Sequence, residues 1–237
     1  MTAVILQPSY LPWRGYFHQI QKADVFVFYD DVQYDTGGWR HRNKIKMPNG
    51  SSWITIPILA KNVHTNNIPI HQIRVVRTQD WQGKHWRSIE NSYRKAPFFD
   101  DYAPRLESFY TDRTVDLLAD FTIDLTKAIA GWLGITQTRF VRSSDLAVVG
   151  TKTDRILAVL AAIGNVTHYI SGPSAKTYIE EDKFATAGIG LEYMAYQYGE
   201  YPQLYGPFDP HVSVLDLLFM TGPKAGSYIW GSPEVER

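Results

Sequence analysis

Two short, purely apolar runs near the amino terminus, Ala3-Val4-Ile5-Leu6 and Val25-Phe26-Val27-Phe28-Tyr29, constrain the fold more than any other feature. Neither alternates with polar residues, so each reads as a strand covered on both faces, the pattern of α/β sheets. A helical stretch at about 15–23 separates them and completes a β-α-β unit. Both runs end in polar, aromatic and charged residues. The first leads into Gln7-Pro8-Ser9-Tyr10-Leu11-Pro12-Trp13-Arg14-Gly15-Tyr16-Phe17-His18, the second into Asp30-Asp31 and then Trp39-Arg40-His41-Arg42-Asn43. Open α/β sheets build their sites at the carboxyl edge of the strands, so a site is expected there.

The rest of the chain extends this pattern. Residues 42–58 read as a hairpin, turning at Pro48-Asn49-Gly50, where Asn-Gly lies between alternating runs. A polar loop at 59–69 and a strand at 72–76 follow. Asp80 caps a helix running from Trp81 to about Arg94, which Pro97 ends. Residues 114–133 carry an apolar stripe at helical spacing, closed by Gly134. Strands at 138–142, 168–170 and 191–194 alternate with helices at 154–163 and before Gly188. Ser213 caps a last helix at 214–220. The expected fold is a mostly parallel, Rossmann-like sheet with helices on both faces, an inserted hairpin and a helical subregion at about 80–134. No repeat or linker divides the chain, so residues 1–237 read as one unit.

Composition removes several functions. Lys plus Arg equals Asp plus Glu at 24 each, so no net field draws in nucleic acid or an anionic membrane. The absence of cysteine rules out disulfides, thiolate metal sites and thiol nucleophiles. No apolar run approaches the ~20 residues of a membrane helix, and no secretory signal opens the chain. A cytoplasmic protein without membrane insertion is expected. There is no G-x-G-x-x-G, Walker loop, G-x-S-x-G or H-E-x-x-H.

The candidate chemistry sits in loops. The Pro/Gly loop after the first strand opens a helix, whose free N–H groups favour a phosphate or carboxylate, with Gln7, Tyr10 and Trp13 alongside. His18, in the first turn, reads either as a base or as a histidine packing the helix on the sheet. A strand, a Pro/Gly loop and a His-bearing helix also open nucleotidyltransferase-like folds, but those carry two histidines and this chain has one there. Asp30 and Asp31 should face opposite ways, one towards the site and the other capping the loop. Either a general base or a water-bridged Mg²⁺ fits this pair. Trp39, Arg42 and Asn43 offer a planar fork beside an aromatic platform, or a solvated basic turn. Ser171, Gly172, Ser174 and Lys176 form a second phosphate-holding loop, with Tyr178 just beyond it. Gln203 lies in an aromatic stretch that reads as a lid or as packing. No metal is assigned.

The opening 7–17 block followed by Ala23-Asp24-Val25-Phe26-Val27-Phe28 resembles the WbqC-like family. Trp39 with Arg42-Asn43, Tyr169-Ile170-Ser171-Gly172, Tyr178, Tyr201 with Gln203, and Ser213 with Asp216-Leu217-Leu218-Phe219 fit later parts of that pattern in order. The resemblance covers nearly the whole chain. It implies a bacterial protein tied to O-antigen or other polysaccharide gene clusters, and a glycine-transferase role has been suggested for one member.

Residues and resemblance together lead to an expected aminoacyl (glycyl) transferase acting on a nucleotide-linked sugar. His18 or Asp31 takes the proton and Lys176 serves as a mobile cation. A free carboxylate is a poor electrophile, so the glycyl group must arrive activated by ATP, a carrier thioester or an aminoacyl-tRNA, the one nucleic acid expected as a partner. No cofactor is demanded; ATP with Mg²⁺ is compatible. Two alternatives stand beside this reading: an ATP-dependent nucleotidyltransferase or ligase, and a non-catalytic binder of glycans or nucleotide sugars.

Overall fold

A computed structural model describes residues 1–59, 67–112 and 114–231. Five strands form an all-parallel sheet: β1 (Thr2–Leu6), β2 (Val25–Phe28), β5 (Arg139–Arg142), β6 (His168–Ser171) and β7 (Gly190–Tyr193). Their order is β5-β2-β1-β6-β7. In register, Ala3 lies opposite Val25 on one side and Tyr169 on the other. Both apolar runs of the sequence are thus central strands, buried along their whole lengths or nearly so.

Alternation along the strands feeds two cores. Val4, Phe26 and Phe28 point to one face, where α1 (Arg14–Lys22) packs through Tyr16, Phe17 and Ile20. The same core takes in α2 (Trp81–Tyr93), α3 (Phe99–Thr111), α4 (Leu118–Trp132) and α7 (Val214–Thr221). Ala3, Ile5, Val25 and Val27 point to the other face, under Ile156, Val159 and Leu160 of α5 (Lys152–Ile163) and Phe184 of α6 (Glu181–Thr186). The result is a three-layer α/β fold of Rossmann-like architecture with helices on both faces of the sheet.

The hairpin is β3 (Arg42–Met47) paired antiparallel with β4 (Gly50–Thr55), turning at Pro48-Asn49. Gly50 stands at φ +109°, a conformation its missing Cβ permits. The Asp80 carboxylate accepts from the Gly83 N–H, and the Ser213 hydroxyl from Leu215 N–H, so both expected caps are present.

Two expectations differ from the structure. The strand expected at 72–76 is a 3₁₀ turn, Ile70–Gln72, followed only by isolated bridges from Arg74 and Val75. Helix α3 is an addition that Pro97 and Pro104 hide in the sequence. Pro104 lies inside the helix, where local propensity disfavours it, but burial of Tyr102, Leu106 and Tyr110 holds the helix in place. Most of the loop expected at 59–69 lies outside the described residues. Among those described, no helix is long and apolar enough to cross a membrane.

Candidate functional site

The chain builds β1, β2 and β5 in one direction, then returns to the other side of β1 to build β6 and β7. Strand order therefore reverses between β1 and β6, and the loops leaving their carboxyl ends diverge. Crevices at such switch points are the usual ligand sites of open α/β sheets. Residues 7–13 leave β1 at this edge and residues 171–178 leave β6.

The first wall is closed. Residues 8–12 are buried, with only Gln7 and Trp13 partly accessible. The Tyr10 hydroxyl, fully buried, hydrogen-bonds Tyr110 Oη (2.6 Å) and His85 Nδ1 (2.9 Å). His85 Nε2 lies 3.2 Å from the Thr55 carbonyl and must donate to it, so Nδ1 accepts the Tyr10 proton. The buried Asn43 amide donates to the Tyr10 and Leu11 carbonyls, and Arg40 donates to Gln7 O and Ser9 Oγ. The start of α1 is filled by its own first residue. Arg14 donates to Gly199 O and Tyr228 O beneath the rings of Tyr198 and Tyr201. Its burial lowers the guanidinium's pKa. Tyr10 and Asn43 find their partners within the protein and so lock the loop.

The open wall lies on the α5 side. Asp31, just past β2, accepts from Ser143 Oγ and from Arg155 Nη2 of α5, both at 2.5 Å. The Arg155 guanidinium lies 5.9 Å from the Tyr29 ring centre, and its buried Nε has no partner among the described residues. Burial pushes the Tyr29 phenol up to about 12, with Arg155 opposing the shift and Asp31 adding to it. Tyr178 is near enough to raise it further, and is itself exposed. The loop after β6 is held against the first turn of α5, where Glu180 N–H donates to Thr153 Oγ1. Thr151 gives that helix start no side-chain cap. Ser174 and Lys176 are exposed, with Lys176 Nζ 5.1 Å from the Tyr193 ring centre, while Ser171 is buried beneath them and Gly172 lies at the rim.

The remaining candidates fall elsewhere. His18 belongs to α1 on the opposite face of the sheet, with Nδ1 3.0 Å from Tyr198 Oη; burial and then Lys22 lower its pKa, leaving the ring neutral. His18 and Asp31 thus stand on different sides of the sheet. Trp13 packs edge-on against Tyr196 and Tyr198. Asp30 is completely buried and accepts from Arg142 Nε (2.6 Å) and from both the N–H and hydroxyl of Ser144. Asp30 is saturated, each Asp31 oxygen has one partner and keeps a lone pair free, and no cluster suited to a metal occurs among the described residues. Gln203 spans Tyr201 Oη, Asp209 O and Asp216 Oδ2, which fixes the 195–212 loop. Trp39 and Arg42 lie on the outer face of the hairpin.

Sequence reasoning did not single out Tyr29, Ser143 or Arg155. Arg155 occupies a helix that reads as plainly apolar, and only the reversal of strand order brings its first turn over the end of β2. A groove of about 480 Å³ elsewhere, lined by Asp112, Asp116, Asp120 and Asp124, has two of these carboxylates tied to Arg74 and Arg142.

Comparison with known proteins agrees with the fold-wide pattern of motifs. The model of the WbqC-like protein family matches residues 7–228. The uncharacterized protein Rv1507c of Mycobacterium tuberculosis is 39% identical over 226 residues, covering 95% of this chain and 96% of the relative. No solved structure matches the chain. A family match across almost the whole sheet and both loop walls, together with that relative, shows that the chain belongs to the WbqC-like protein family.

Proposed function

We propose that the protein transfers an aminoacyl group, glycyl by the family resemblance, to an amino or hydroxyl group of a nucleotide-linked sugar at the open wall of the switch point. The observation that carries this reading is the Asp31–Arg155 pair, beside Tyr29 at the carboxyl edge of the sheet. A carboxylate and a guanidinium side by side supply the two things acyl transfer needs, a proton acceptor and a fixed positive charge. The acceptor's amine or hydroxyl attacks the carbonyl carbon of the activated glycyl group and its proton passes to Asp31. The tetrahedral oxyanion is held by Arg155 and the uncapped N–H groups of α5. The carrier then leaves with the bonding electron pair. Lys176 and Ser174 take the nucleotide's phosphates from the facing loop.

The test is glycyl incorporation into amino-sugar nucleotides, followed by mass spectrometry with each donor class in turn. Glycine-dependent ATP–pyrophosphate exchange identifies adenylation by the protein itself; product without exchange identifies a pre-activated donor. Asp31→Asn should retain substrate affinity and lose turnover by at least about a hundredfold. Full turnover by that variant, or no product from any donor with the native chain, rejects the proposal.

A further inference from the structure

The outer face of the hairpin is half covered. At its turn end, Lys46 is buried with Nζ donating to Pro207 O, and Ser51 Oγ donates to Asp209 Oδ2 at 2.5 Å. Beyond this edge the face is open and holds Arg42, Lys44, Trp53 and Thr55, with Trp39 beside them. The rings of Trp39 and Trp53 lie 5.0 Å apart at 37°, and each is 43% exposed. Arg42 Cζ and Lys44 Nζ stand 4.7 and 5.4 Å from the Trp53 ring centre. Neither cation forms an ion pair among the described residues, and Arg42 Nε is buried without a partner. Arg42 Nη2 donates to Gly37 O and Asp209 feels the charge of Lys44, so the two adjacent indoles stand in water beside two cations that lack an ion-pair partner among the described residues.

We propose that this shelf is a binding site for an acidic saccharide, the indoles taking the flat faces of its rings and Arg42 and Lys44 its carboxylate or phosphate groups. Exposed indoles suit a ligand with one apolar face and one wet face. The cations supply the matching charge, and Thr55 and the Asp209 rim offer hydrogen bonds to sugar hydroxyls. The charge is too small for a nucleic acid strand, whose phosphates demand a row of cations and whose affinity rests on them. Among the side chains of this open half, none is aliphatic, as insertion into a membrane would require. The inference rests on the transferase reading for its biological sense and names the class of sugar that reading leaves open. Its test involves no turnover, so either can fail alone.

Calorimetric titration of the full chain with trigalacturonate, maltotriose and hexathymidylate separates the cases. The expected result is binding of trigalacturonate that weakens with added salt, with maltotriose bound at least several-fold more weakly. Trp53→Ala should weaken it by roughly tenfold, and Lys44→Gln by about threefold without altering the circular dichroism spectrum. Absence of trigalacturonate binding at millimolar concentration, equal affinity for maltotriose, tighter binding of hexathymidylate, or affinity unchanged in both variants overturns the proposal.

Discussion

Two buried ionisable residues work against each other. Burial pushes the His85 imidazole down to about 4, against an ordinary 6.5, the bond to Thr55 O opposing only in part. The unfolded chain therefore takes up a proton between these values that the folded chain refuses, and stability is lost as pH falls from 6.5 towards 4, by about 3 kcal/mol. Asp216, buried under Tyr201 and Tyr93, is shifted the other way, up to about 6 from 3.8. Its contribution is fully present below 3.8 and is lost as pH rises through 6, again by about 3 kcal/mol. The two slopes nearly cancel across mildly acidic pH. His85→Gln should unmask a protein that urea titration finds more stable at pH ~4.5 than at 7, and Asp216→Asn one with a steep acid loss. A flat profile in both variants would show that neither group is buried as described. Tyr10→Phe removes the hydroxyl that joins His85 to Tyr110 and should cost about 1–3 kcal/mol in the same assay. Tyr10 shows where residue-level reading stops: an aromatic in a Pro-rich loop at a strand end looks like a ligand contact, and only the helical insertion that supplies His85 and Tyr110 turns it inward.

Among elements, the hairpin and the strand-to-helix loop act as one piece. Asn43 joins them through two carbonyls, so Asn43→Ala leaves Tyr10 O and Leu11 O without their donor and should destabilise by about 2–4 kcal/mol in chemical denaturation. Gly15 keeps the same corner tight. A Cβ there would stand 2.3 Å from the Trp13 ring, which Tyr196 and Tyr198 hold from the other side, so Gly15→Ala should cost about 1–3 kcal/mol and shift tryptophan emission. Retention of native stability by either variant would contradict this geometry. The elements with strong local signals were legible: β1, β2, the Asn-Gly hairpin, the Asp80 and Ser213 caps. Helix α3 was not, because Pro104 argues against a helix locally and the packing that overrides it comes from residues far along the chain.

For the whole molecule, the parallel three-layer class followed from buried strands alternating with helices, but strand order did not. Nothing in the composition of β5 or β6 says which side of β1 it joins, and that choice decides which loops face each other. It also separated His18 from Asp31, so a pH–rate profile for transfer should change in Asp31→Asn and keep its shape in His18→Gln; the opposite pattern would move the chemistry to the other face. Edge strand β5 depends on Arg142, which bridges the buried Asp30 and Asp120. Replacing Asp30 by Ala leaves Arg142 paired with Asp120 but removes the buried acceptor of Arg142 Nε and of the Ser144 N–H and hydroxyl, and should cost about 1–3 kcal/mol in chemical denaturation, with native-like stability ruling it out as an anchor.

Arg40 and Asn43 hold the backbone of residues 7–11 from the hairpin side. The hairpin is therefore not a hinged flap: it shares its anchors with the loop that leaves the central strand. The shelf that carries Trp53 is thereby fixed to the stretch where Leu6 hands the chain to Gln7.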